Sequence, residues 1–75
     1  MNKEEFASRL ETSLDIFEDS VKKQEIENYL KKIEEREKNG ESEEEIIKSF
    51  GTITEITETI LKSHGINPKK LSKKN

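Results

Sequence analysis

Glu41, Glu43, Glu44 and Glu45 place four carboxylates within five residues, dense enough to raise the question of a metal site. A calcium loop would need oxygen ligands at alternating positions around a central glycine. Here Gly40 precedes the acids and Ser42 opens the run of three, so the spacing is wrong for that chemistry. Carboxylates in the first turn of a helix interact favourably with its macrodipole, by about 0.3–1 kcal/mol each, and that accounts for them. His64 is the single histidine, and the chain has no cysteine, which excludes disulfides and thiolate metal sites. No serine, histidine and carboxylate fall into a nucleophile–base pattern. The expectation is a non-enzymatic protein with no catalytic residue, cofactor or metal site.

These side chains have to be positioned by helices. Phe6, Leu10, Leu14, Phe17 and Val21 recur at intervals of four, four, three and four, drawing one apolar stripe. Asn2 with Glu5 three residues on reads as a capping box, and the spacing predicts a helix over residues 3–18. Asp19 and Ser20 can each cap a second helix carrying Ile26, Tyr29, Leu30 and Ile33, with Glu27 and Lys31 as an i,i+4 pair. The apolar-free run that follows Ile33 projects into solvent, and Gly40 is the expected left-handed stop. Ser42 to Glu45 is a capping box opening a short third helix with Ile46, Ile47 and Phe50, ended by Gly51. Thr52 to Glu55 is another, followed by Ile56, Ile60 and Leu61. Four threonines make strand the competitor over residues 52–60. The 53, 56, 60 spacing of isoleucines decides for helix. His64 and Gly65 end it, Ile66 packs back on it, and Asn67-Pro68 forbids continuation.

The fold expected is therefore all-α: a small four-helix domain over residues 1–66, with two longer helices as an antiparallel hairpin, a short helix and a closing helix. Its core should hold Phe6, Leu10, Leu14, Phe17, Ile26, Tyr29, Leu30, Ile33, Ile46, Ile47, Phe50, Ile53, Ile56 and Ile60. Charged residues make up 41% of the chain, which leans towards disorder. Leu, Ile, Val and Phe number 18 of 75, just above the composition where folding fails, and their periodic placement favours a folded domain. Residues 1–61 hold nine Lys/Arg and all 17 Asp/Glu, whereas residues 62–75 hold five lysines and no acid. The result is an acidic body followed by a basic tail over residues 67–75, read as disordered or as a juxtamembrane linker. No apolar run exceeds two residues, so no signal peptide or membrane span is expected within the chain, and a cytoplasmic setting is the default.

The opening Met1, Lys3 and Phe6, then Leu10 and Leu14, then Ile26 and Tyr29, form an ordered series. The series continues through Gly40, Ser42, Glu43, Glu45, Ile46, Ile47, Phe50 and Gly51, and closes on Ile56, Ile60 and Leu61. In that order and spacing the chain resembles the HAAS domain, the helix-turn-helix-associated α-helical signalling domain of bacteria. It departs from the family pattern at Glu18-Asp19, where a proline is frequent. It departs again at Gly51-Thr52-Ile53, where Gly-x-Pro is usual, and at Phe50, where leucine is usual. The resemblance implies a cytoplasmic interaction module of small membrane proteins, paired with PadR-like winged-helix regulators and with responses to envelope stress. It also implies that a transmembrane region follows. Lys69, Lys70, Lys73 and Lys74 fit the cytoplasmic side of such a region under the positive-inside rule and would be attracted to an anionic membrane surface.

Glu43, Glu44 and Glu45 are the candidate partner-binding residues, an acidic surface suited to the basic DNA-binding face of a regulator. A helix-turn-helix DNA reader over residues 42–61 is disfavoured, because that window has five glutamates and one lysine and phosphate neutralisation dominates DNA affinity. The alternative from a different class is a homodimerisation or structural module whose apolar faces pair with a second copy.

Overall fold

A computed structural model describes residues 1–67, all of whose regular elements are helices: α1 (Lys3–Ser13), α2 (Asp19–Lys38), α3 (Glu43–Ser49) and α4 (Ile53–Ser63). The small all-α four-helix architecture read from the sequence is the one observed. Lys3 reaches Glu37 and the Phe6 ring meets Tyr29, so residue numbers rise on α1 as they fall on α2, and the pair is antiparallel. Phe6 lies beside Phe50, Ser13 beside Thr57 and Phe17 beside His64, so α4 runs parallel to α1. Short α3 crosses one end of the hairpin and returns the chain to α4's starting side.

Three of the four helices begin where a side chain satisfies an orphan backbone N–H. Asn2 Oδ1 accepts from Glu5 N–H at 2.8 Å, Ser42 Oγ from Glu45 N–H at 3.2 Å and Thr52 Oγ1 from Glu55 N–H at 3.1 Å. Only the last closes reciprocally, with Thr52 N–H donating to Glu55 Oε1 at 2.9 Å. The Glu5 carboxylate instead pairs with Arg9, and that of Glu45 does not return to Ser42. At α2 the N-cap is Glu18, without a side-chain cap, and Asp19 sits one position inside, paired with Lys22. This corrects the expectation that Asp19 or Ser20 caps it.

The helix stops are backbone devices. Gly40 has φ +94°, and its N–H and that of Glu41 donate to Glu37 and Arg36 carbonyls at 3.0 and 3.2 Å, the Schellman pattern. Gly51 has φ +95° and separates the Phe50 cap of α3 from the Thr52 cap of α4. Gly65 repeats the Schellman pattern after α4, with Ile66 N–H donating to Leu61 O at 2.9 Å.

The core contains Phe6, Leu10, Leu14, Ile33, Ile46, Ile47, Ile56 and Ile60, with Phe17, Ile26, Tyr29, Leu30, Phe50 and Ile53 packed against it. All fourteen residues named from periodicity are present, and Leu61 is a further buried side chain. Phe6, Tyr29 and Phe50 form a three-ring cluster with centroids 5.2–6.1 Å apart, the spacing at which aromatic pairs attract beyond their area.

Other readings change in part. α1 ends at Ser13, five residues before residue 18, and residues 14–17 turn. Thr12 and Ser13 hydroxyls donate back to the Ser8 and Leu10 carbonyls, competing with the helix ladder just where it stops. α1 is thus no longer than α4, and α2 alone is long. The end of α2 is exposed at Glu34, Glu35, Lys38, Asn39 and Gly40, as expected, but Arg36 and Glu37 are half-buried against neighbours. Glu27 and Lys31 form no ion pair. The threonines of α4 did not make a strand. Thr57 and Thr59 satisfy their hydroxyls on the Ile53 and Glu55 carbonyls one turn back.

Candidate partner-binding face at the α1–α3 junction

The three glutamates that open α3 have different surroundings. Glu43 is half-buried, and its Oε2 accepts the backbone N–H of Lys3 at 2.6 Å. Lys3 is the first residue of α1, so its N–H has no partner within that helix. Glu43 therefore caps α1 from forty residues away, alongside the local cap by Asn2. Glu44 is outward, 81% exposed, with Oε2 3.8 Å from the Met1 ammonium. Glu45 is exposed, and its carboxylate makes no hydrogen bond. Of the acidic triplet, Glu44 and Glu45 remain on the surface, beside an open hollow they line with Met1, Ile47, Lys48 and Gly51.

Lys3 reinforces the junction by its side chain. Its ammonium is 3.0 Å from Glu37 Oε1, and that hydrogen bond raises its pKa above the ordinary lysine value, against a smaller opposing effect of burial. Behind it stands Arg36. Its Nε donates to Glu41 Oε2 at 3.0 Å and its Nη1 to Ser49 Oγ at 2.7 Å, tying the end of α2 to the loop and to the end of α3. The Arg36 hydrogen bonds hold the Glu41 carboxyl below the ordinary carboxylate range and raise the guanidinium in turn. Glu41, the first member of the acidic run, is thereby committed to an intramolecular contact.

His64 occupies the C-cap of α4, where the sequence placed it. Its Nε2 is 2.8 Å from Glu25 Oε2 and its ring lies 4.8 Å from that of Phe17, so it fastens the end of α4 to α2 and to the α1–α2 turn. Periodicity revealed neither contact, because Glu25 lies 39 residues from His64 and off the apolar stripe. Burial raises the Tyr29 phenol above its ordinary value, with a smaller contribution from Glu25, and Lys32 Nζ stands 4.9 Å from the ring centre.

Among the described residues no group of histidine, cysteine or carboxylate side chains is arranged to hold a metal ion, and no helix is long and apolar enough to cross a membrane. Lys69, Lys70, Lys73 and Lys74, read as a membrane-surface segment, lie outside the described residues. Comparisons with protein-family models, with curated proteins and with solved structures give no match.

Proposed function

We propose that this chain is a non-catalytic interaction module in signalling, a HAAS-like domain that engages a PadR-like winged-helix regulator from the cytoplasmic face of a membrane. The observation that carries the reading is the punctuation between α2 and α4. Left-handed Gly40, the Ser42 cap, the Ile46-Ile47 pair and left-handed Gly51 fall in the order on which the resemblance rests. Recognition would run through polar contacts: Glu44 and Glu45 are presented outward, and Glu43 supports the helix that presents them. The lysines at 69, 70, 73 and 74 would serve the membrane side. Against the rival homodimer reading, the large apolar side chains left exposed among the described residues are Met1 and Ile16.

Charge reversal at Glu44 and Glu45 tests the reading. The pair Glu44→Lys/Glu45→Lys should abolish co-purification of the regulator with the full-length product from the native host, with helicity unchanged. Undiminished complex formation would remove the acidic face from the proposal.

A further inference from the structure

A second surface lies on the other flank of the hairpin. α3 packs on α2, and α4 packs on α1 through Ser13 and Thr57, yet neither supplies a residue to the open groove between α1 and α2. Its floor is apolar: Ala7 from α1 with Ile26 and Leu30 from α2, each left half-buried by the fold. Its rim carries Glu4 and Glu11 on α1 and Glu27 on α2, all exposed and none in an ion pair, whereas Lys22, also on the rim, is paired with Asp19. The groove is also polarised. The antiparallel pairing puts Glu4, Glu27 and Leu30 towards one end, and puts Glu11 with Lys23 and the Asp19–Lys22 pair towards the other.

We infer that the α1–α2 groove is a docking site for an amphipathic helix of a partner protein. That helix would present one apolar stripe to Ala7, Ile26 and Leu30, and lysine or arginine on its flanks to Glu4, Glu11 and Glu27. Charge complementarity selects this occupant. Glu4, Glu11, Glu27 and Asp19 outnumber Lys22 and Lys23 around the apolar floor, an acidic excess that favours a basic partner and disfavours an acidic one. Helix-in-groove recognition reads apolar anchors at i, i+3 and i+4. A second copy of this chain is a poor occupant, because its exposed helix faces carry the same excess of acid. The inference rests on the interaction-module reading and places a contact on a surface separate from Glu44 and Glu45.

The test is a titration of the isotope-labelled 75-residue chain with a capped synthetic helix of leucine and lysine, leucines at i, i+3, i+4 and i+7, followed by NMR. Amide shifts should cluster at Ala7, Ser8, Glu11, Ile26 and Leu30. A scrambled peptide of identical composition without the stripe should bind at least about tenfold more weakly, as should the striped peptide to Glu4→Lys/Glu27→Lys; the Glu44→Lys/Glu45→Lys variant should bind within about twofold of wild type. Glu4, Glu44 and Glu45 lie in first turns, where reversal also costs the dipole contribution, so circular dichroism first establishes that each variant is folded. Glu27→Lys alone, in the interior of α2, should weaken binding of the striped peptide without touching a helix start. Equal binding of striped and scrambled peptides, or shifts centred on Glu44 and Glu45, would overturn the groove assignment. The interaction reading is judged separately, by regulator co-purification, which can succeed while this titration fails.

Discussion

The Glu43 carboxylate accepts the backbone N–H of Lys3 at 2.6 Å, joining the first turn of α3 to the first turn of α1 across forty residues of sequence. A charged acceptor on an orphan helix N–H contributes through both hydrogen bonding and the helix dipole. Glu43→Ala should lower the unfolding free energy by about 1 kcal/mol in urea titrations, and Glu43→Gln by less because an acceptor remains. Glu44→Ala and Glu45→Ala should each lose only the exposed dipole contribution, about 0.3–0.5 kcal/mol. Equal losses at all three positions would contradict the division of the triplet.

Gly40 and Gly51 share a left-handed backbone but not an environment. A Cβ on Gly40 would meet nothing within 4 Å, whereas one on Gly51 would sit 2.5 Å from Glu55 Oε1. Gly40→Ala should therefore cost about 1 kcal/mol for backbone strain alone. Gly51→Ala should cost more by about 0.5–1 kcal/mol, because the Glu55 carboxylate must leave Thr52 N–H. A double-mutant cycle checks this: the extra loss at position 51 should vanish in a Glu55→Ala background.

Glu41 gives a pH signature. Its folded pKa is depressed by hydrogen bonds from Arg36, so the contribution of the pair is present above the ordinary carboxylate range. It is lost as pH falls from that range through the lower folded value. An NMR titration of the Glu41 carboxyl should give a midpoint below that of an unpaired glutamate, returning to it in Arg36→Gln. A midpoint unmoved by that substitution would refute the pairing in solution.

Phe6 is fully buried at the meeting of α1, α2 and Phe50, whereas Ile16 is 50% exposed in the α1–α2 turn. Phe→Ala substitutions in cores cost about 3–5 kcal/mol, comparable with the whole stability expected of a domain this small. Phe6→Ala should be largely unfolded by circular dichroism at 25 °C, while Ile16→Ser should melt within a few degrees of wild type.

Local chemistry was readable wherever it was encoded within a few residues. Asn2, Ser42 and Thr52 cap helices, Gly40 and Gly51 stop them, and every residue taken from periodicity for the core packs there. The α1 end escaped because Leu14, Phe17 and Val21 continue a helical interval through a turn that lacks glycine and proline. The capping of α2 escaped because Asp19 and Ser20 lie inside the helix they were expected to cap. At the candidate face, the number of carboxylates was legible but their fates were not. Glu43 is claimed by a backbone donor and Glu41 by Arg36, and contacts between distant segments leave no mark on local spacing.

Sedimentation velocity of the full-length product, alone and mixed with the winged-helix regulator recovered from the same cells, separates an interaction module from a homodimer. An interaction module should sediment as a monomer that moves into a larger complex when the regulator is added, and should fail to do so as Glu44→Lys/Glu45→Lys. A tight homodimer whose sedimentation is unchanged by the regulator would contradict the interaction reading.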